Sequence, residues 1–379
     1  MAAVPNLSQL NKNLILDIKE YYNIRIMDNT KRNSAVASEF KFENTQNTSK
    51  KSYARILTGD RPTGPLHLGH FCGSLKNRVA LQNIYDTFIL IADVQALTTN
   101  FDHPELLRQN IFNVALDYLA VGIMPEKSTI IIQSMINEIA ELTIFFSMFI
   151  SINALKHNPT IKTEAKERGY KELNYGFLGY PVSQTADIAI FKADLVPVGI
   201  DQLPHIELSR KIVRRFNELY DGALIEPEAL LSEFPKLIGL DGSLKMSKSY
   251  GNAIFLSDDF DTIKSKIRTA LTDKSRIHPS DPGHPDICTI FSYHKTFSES
   301  SLTKNIEHDC IAGSIGCVQC KNNLHESIKN ILIPMNEKRQ YYKERASEVW
   351  DILFAGTNKA KKIASETLKE VKENMKINY

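Results

Sequence analysis

From Tyr53 to Gly199 short apolar runs alternate with longer stretches of helical spacing. Residues 54–58, 87–93, 129–133 and 195–199 are short runs rich in apolar and β-branched residues, and they read as buried strands. Between them, residues 66–83, 103–121 and 137–156 carry the three-to-four-residue apolar period of helices. This alternation predicts an α/β fold with a doubly wound parallel sheet. Ligands of such a sheet lie at the carboxyl ends of its strands. Beyond Lys248 the pattern becomes helix and loop, with helical spacing over 258–271 and 322–362 and a lysine-rich helix over 357–376. The expected division is an N-terminal extension over 1–52, an α/β domain with a connecting insertion over 53–255, and a helical domain over 256–379.

The first 52 residues differ from the rest. They are rich in asparagine and end in the polar run Asn44 to Ser52, and only 14–27 has the spacing of a short amphipathic helix. They read as a mobile extension, or as an over-long start with Met27 as the alternative first residue. Asp17, Glu20, Asp28, Glu39 and Glu43 argue against an organelle-targeting peptide. A net charge of +2 gives no overall basic field, so any nucleic-acid surface is local. No apolar run reaches the roughly 18 residues of a membrane span. The opening residues Met1 to Asn6 lack a charged head and apolar core, so no secretory signal is expected; with five cysteines that suit a reducing compartment, a cytoplasmic location is expected.

Two short motifs carry candidate chemistry. Pro65-Leu66-His67-Leu68-Gly69-His70 closes the turn after the first strand and opens a helix. Backbone amides at such an N-terminus suit phosphate. His67 and His70 are three apart, so both imidazoles share one helix face. There they can hydrogen-bond an α-phosphate as charge builds on it. Gly69 leaves room for a nucleoside to approach the backbone. Lys245-Met246-Ser247-Lys248-Ser249 offers two ammonium groups and two hydroxyls on a polar loop able to close over a β,γ-diphosphate. Singly, each has a plain alternative: a strand–turn–helix joint with incidental histidines, and a solvated basic loop. Together, in this order, they describe two halves of an ATP site.

With those motifs the chain resembles the class I aminoacyl-tRNA synthetases, and within them the tryptophan–tRNA ligase family. The segments that carry the likeness are Leu57 to Gly64, Tyr180-Pro181-Val182-Ser183-Gln184-Thr185-Ala186-Asp187-Ile188, and Val196-Pro197-Val198-Gly199-Ile200-Asp201-Gln202. The resemblance runs from about residue 54 to the C-terminus. It implies a Rossmann-like catalytic domain, an all-helical anticodon-binding domain, and a homodimer formed through the catalytic domain. It also implies two steps. The carboxylate of L-tryptophan attacks the α-phosphorus of Mg2+-bound ATP, and the acyl group then passes to the terminal ribose of tRNA(Trp). Such catalysis is positioning plus electrostatics, here by His67, His70, Lys245 and Lys248.

By motif, the resemblance implies that ATP meets Arg61, Pro62, Thr63, Gly69, His70, Gly199, Ile200, Asp201, Lys245, Met246, Ser247, Lys248 and Ser249, with Leu237 on the adenine. For tryptophan it implies Asp187 as acceptor of the indole N–H, since a buried carboxylate needs a partner and the indole nitrogen only donates. Tyr180 and Gln202 would take the α-amino group, and Leu57, Val196 and Val198 would wall the ring. Gln95 stands where many bacterial members carry histidine; with the full His-Leu-Gly-His it resembles a second bacterial subgroup. A tyrosine–tRNA ligase shares the scaffold, but the Tyr180 to Asp187 segment disfavours it. A non-catalytic nucleic-acid-binding protein leaves both signatures unexplained.

Cys288, Cys310, Cys317 and Cys320 are spaced C-x21-C-x6-C-x2-C, and Gly313 and Gly316 allow the turn that brings the last pair together. Four thiolates suit tetrahedral zinc or a 4Fe–4S cluster. Spacing leaves zinc, cluster and free buried thiols open; the resemblance implies the cluster. Nearby Lys321 and the lysines at 359, 361, 362, 369, 372 and 376 can meet tRNA phosphates. Interleaved Glu366, Glu370 and Glu373 equally fit a solvated helix. Cys72 reads as a core residue of the first helix.

Overall fold

The computed structural model describes residues 25–27, 54–222, 224–232, 237–243 and 245–379. Apart from 25–27, the expected N-terminal extension lies outside these residues. The strands are β1 (Arg25–Met27), β2 (Arg55–Asp60), β3 (Asp86–Ile91), β4 (Ser128–Ile132), β5 (Leu195–Val198) and β6 (Glu228–Ser232). All pair in parallel, in the order β1-β6-β5-β2-β3-β4. The helices of the α/β part are α1 (Leu68–His70), α2 (Lys76–Leu81), α3 (Asp93–Asn100), α4 (Leu107–Val121), α5 (Asn137–Ser147), α6 (Ile152–His157), α7 (Pro159–Glu167), α8 (Tyr175–Ile190) and α9 (Leu203–Tyr220). A π-helical segment, Phe71–Leu75, joins α1 to α2. The C-terminal helices are α10 (Phe260–Thr269), α11 (Thr289–Phe297), α12 (Ser300–Ile311), α13 (Cys317–Glu344) and α14 (Ala346–Asn374).

Successive side chains of a strand point to opposite faces, and β3 shows this directly. Phe88 and Leu90 enter one core with Leu57, Ile131, Val196 and the apolar stripes of α5, α8 and α9. Ile89 and Ile91 enter a second with Ile130, Ile132 and side chains of α4, α10, α11 and α13. Helix α14 contributes to both, through Val349 and Leu353 on one side and Ala360, Ala364, Leu368 and Val371 on the other.

Helix α14 also covers the β4 edge, which would otherwise expose a row of backbone groups. The Ile132 amide donates to Thr357 Oγ1 at 3.1 Å, and Lys359 Nζ donates to Thr129 Oγ1 at 2.9 Å. Gly356 makes the approach possible: a Cβ there would sit 2.2 Å from the Ile130 carbonyl oxygen. Gly356→Ala therefore forces the helix off the strand, and an expected loss of about 1–3 kcal/mol is measurable by chemical denaturation.

The sheet changes direction of growth between β2 and β5. The chain runs β2, β3, β4 to one side, then β5 and β6 to the other. Strand β5 pairs with β2 only at Leu195–Ile56, because Pro197 has no N–H and the strands part beyond that point. The crevice lies at the carboxyl ends, where a doubly wound sheet binds its ligands.

Several expected elements come out differently. Residues 25–27 of the expected helix 14–27 form β1, and the remainder lies outside the described residues. The helix expected over 137–156 is two, since the Ser151 side chain accepts from the Ala154 amide and starts a new one. The helix expected over 322–362 is interrupted at Arg345 between α13 and α14. Strand β6 and helices α3, α7, α8, α9, α11 and α12 were not expected.

Candidate active site

The first motif follows β2 directly. Residues 66–68 are held as a short antiparallel bridge against 254–256: the Leu68 amide donates to the Ile254 carbonyl at 2.9 Å, and the Leu256 amide to the Leu66 carbonyl at 2.9 Å. This places the chain just beyond the second motif against the start of the first. His67 is the residue before α1, and its ring lies 3.8 Å, centroid to centroid, from that of His70. The fold of the two rings over each other needs Gly69, since a Cβ there would lie 2.9 Å from the His67 ring.

Both imidazoles are held neutral. Burial, the neighbouring His70 and the two lysines of the second motif push His67 down to about 3. Burial pushes His70 down to about 4, against the opposing pull of Asp60. At neutral pH each is therefore a neutral imidazole, able to donate through one ring N–H. His67 Nδ1 is buried and has no partner among the described residues. Beneath them, burial would raise Asp60, but Arg78 at 2.6 Å, His70 and the Tyr118 hydroxyl at 2.7 Å bring it down to about 2.

The second motif closes onto the first. Lys248 Nζ donates to the Gly64 carbonyl at 2.8 Å, and Met246 is buried against Gly69. Burial lowers the Lys248 ammonium from its ordinary range while Asp60 and Asp117 oppose this. The loop is shaped by Asn252, whose Oδ1 accepts from the Ser247 amide at 2.8 Å and whose Nδ2 donates to Asp241 at 2.9 Å and to Ser243 at 2.8 Å. Lys245 is exposed at its tip. Leu237 is buried in the second core, and its carbonyl accepts from the Met246 amide at 3.0 Å. Of Ser249 and Asp201 only the backbone is described; Gly199, Ile200 and Asp201 stand at the exit of β5, on the opposite lip of the crevice.

Asp187 lies on α8, fully buried among apolar neighbours of the first core. Gln133, just after β4, donates to its Oδ1 at 2.7 Å. Burial raises the carboxyl to about 7, against hydrogen bonds from Gln133 and Gln95. Gln95 is fixed in turn, its amide donating to Gln133 Oε1 at 3.2 Å. Leu57 and Val196 belong to the same core, with Val198 packed at its margin. The Tyr180 hydroxyl sits 2.9 Å from His205 Nε2. It is also hydrogen-bonded to Glu164, which Arg61 engages at 3.0 Å. Gln202 is half-buried at the start of α9. One charged network thus runs from the loop after β2 to the Tyr180 phenol.

The four cysteines come from three segments and line one cavity with Asp273 and Arg276. Cys288 precedes α11, Cys310 ends α12, and Cys317 and Cys320 occupy the first turn of α13. Burial and the other three sulfurs push Cys320 up to about 12, so its thiolate needs a cation. Among the described residues no three His, Cys, Asp or Glu side chains converge on a single metal ion.

Glu164, Asn252, Gln133, Asp60, Arg78 and Asp117 were not expected. Each is an ordinary polar residue in its own segment, and only the fold brings it to the motif it supports.

Comparison with known proteins supports the same region. The family model of class I tRNA synthetases (W and Y) matches residues 49–333. The tryptophan–tRNA ligase of Clostridium longisporum is 47% identical over 331 residues, covering 86% of this chain and 97% of its own length. That of Lactococcus lactis is 48% identical over 334 residues, covering 86% and 98%. The structure of tryptophanyl-tRNA synthetase from Campylobacter jejuni complexed with ADP and tryptophan matches with a TM-score of 0.78 at 33% identity, over 85% of this chain and 99% of that one.

Proposed function

Since the chain belongs to the class I tRNA synthetases (W and Y), we infer that it activates L-tryptophan with ATP and transfers the tryptophanyl group to tRNA(Trp). The observation that carries the choice of amino acid is Asp187, a carboxylate sunk in an apolar wall with one oxygen taken by Gln133. Gln95 also bonds this carboxyl, and the lone pairs that remain suit a donor on an otherwise apolar ligand, which describes an indole N–H.

ATP, as its Mg2+ complex, lies across the crevice between the loop after β2 and the exit of β5. Gly199 to Asp201 face its ribose, and Gly69, His70 and the backbone of residues 61–63 border the nucleoside. The second motif carries Lys245 and Lys248 over the phosphates. Attack by the tryptophan carboxylate concentrates negative charge on the α-phosphoryl oxygens, and His67 and His70 donate there without changing protonation state. The lysines stabilise the departing pyrophosphate. Tyr180 and Gln202 hold the α-amino group, so the carboxylate is presented in line. The C-terminal helices provide the tRNA surface, and the active species is a cytoplasmic homodimer. No helix among the described residues is long and apolar enough to cross a membrane. A charging assay with ATP, Mg2+ and unfractionated tRNA tests the whole: labelled tryptophan is expected in acid-insoluble tRNA. Labelled tyrosine there instead would contradict it.

Four thiols about one cavity also support a 4Fe–4S cluster held by Cys288, Cys310, Cys317 and Cys320, and with it the second bacterial subgroup suggested by Gln95. When bound the cluster ties α11, α12 and α13 together. Protein purified without oxygen is expected to be brown, absorbing near 400 nm, and Cys317→Ser to lose the colour. A colourless native protein with stoichiometric zinc would reject the cluster.

A further inference from the structure

Asp117 is fully buried in α4, far in sequence from both motifs. Its Oδ2 accepts from the backbone amide of Leu66 at 2.8 Å, immediately before His67. Its Oδ1 accepts from Arg339 Nε at 2.9 Å, across 222 residues of chain. Arg339 projects from the last turns of α13, the helix that begins with Cys317 and Cys320, and its side chain is 14% exposed. Lys248 of the second motif also acts on Asp117, more weakly than Arg339. Leu66 is itself fully buried, so its amide has no access to water.

We propose that Arg339 is a positioning residue for amino-acid activation, acting through Asp117 on the backbone that carries His67. A buried carboxylate without a cation takes up a proton or turns toward any donor it can find. Either change withdraws a charged acceptor from the Leu66 amide. Residues 66–68 are then held against 254–256 by the remaining backbone bonds alone, and the two imidazoles lose their register with the α-phosphate. A small misplacement of groups that act only in the transition state lowers turnover rather than ground-state binding. The pair also links a C-terminal helix to the first motif, so movement of α13 changes the hold on His67. This rests on the reading of the chain as a tryptophan-activating enzyme.

The test is tryptophan-dependent ATP–pyrophosphate exchange by the native chain, Arg339→Met and Arg339→Lys, with amide hydrogen exchange of the Leu66 peptide in each. Arg339→Met is expected to lower kcat roughly 10- to 100-fold with the tryptophan KM within about twofold. Arg339→Lys, which keeps a cation in reach of Asp117, is expected to recover most of the rate. Leu66 is expected to exchange faster in Arg339→Met while the strands stay protected. If Arg339→Met does not fold, Arg339→Gln, retaining a neutral donor, is expected to show the same split at smaller size. A folded Arg339→Met with native kcat, or with unchanged Leu66 protection, overturns the proposal. So does a Lys variant no better than Met. No exchange by the native chain refutes the functional reading, and Leu66 protection still judges the Asp117–Arg339 hold separately.

Discussion

Asp187→Asn is expected to lose tryptophan activation by roughly 1000-fold or more in kcat/KM, with the ATP KM little changed. Asparagine has the same shape but one acceptor oxygen, and Gln133 already donates to that position. The remaining amide NH2 then faces the indole N–H, donor against donor, at a buried position. Sites built to bond one polar group discriminate strongly when the bond is lost, because the buried partner is left unmatched.

A pH dependence follows from the same carboxyl. It titrates near 7 in the free protein because of burial, and an indole N–H favours its ionised form. The tryptophan KM is expected to rise as pH falls below about 7, approaching tenfold per unit, and the dependence to vanish in Asp187→Asn. The sign for stability is opposite to that of an ordinary ion-paired aspartate. The native state keeps this proton up to about 7, whereas an unfolded aspartate releases it near 4. The native state binds more protons across that window, so this group's contribution to stability falls as pH rises from about 4 to 7.

Lys248→Ala is the second large effect, expected to lower kcat for exchange about 100- to 1000-fold with the tryptophan KM within about twofold. Lys248 is half-buried, reaches Gly64 of the opposite loop, and supplies positive charge beside both imidazoles. Its removal deletes a charge from the transferring phosphates and also the contact that closes the second motif on the first. Single-turnover measurement of adenylate formation separates this from product release; a native rate there would contradict the assignment.

The two motifs were legible because their chemistry is local. His67, Gly69 and His70 sit within one turn, and two lysines three apart on a glycine-led loop need no partner to be noticed. The parallel sheet was legible for the same reason, from short runs rich in apolar and β-branched residues. Strand β6 was not, because Glu-Ala-Leu-Leu-Ser is short and acquires its character only by pairing with β5. Helix α8 was hidden by Gly176, Gly179 and Pro181, residues that read as loop. It stands because Asn174 caps it and its apolar side is buried along most of its length. The supports of the site were invisible for another reason. Glu164, Gln133, Asn252 and Asp117 are polar residues whose meaning depends on a partner 9 to 103 residues away in the cases of Asn252 with Ser243 and Glu164 with Arg61. No local pattern encodes such a pairing. Arg339 is the extreme case, a single basic residue on a helix already rich in charge.

In the proposed site, two nucleotide motifs and Asp187 act together to activate tryptophan. ATP–pyrophosphate exchange with tryptophan, tyrosine and phenylalanine, run on the native chain and on Asp187→Asn, tests it most directly. The expected result is exchange that depends on tryptophan alone and collapses in the variant. Exchange driven equally by tyrosine, or tryptophan-driven exchange unaltered by Asp187→Asn, would contradict it.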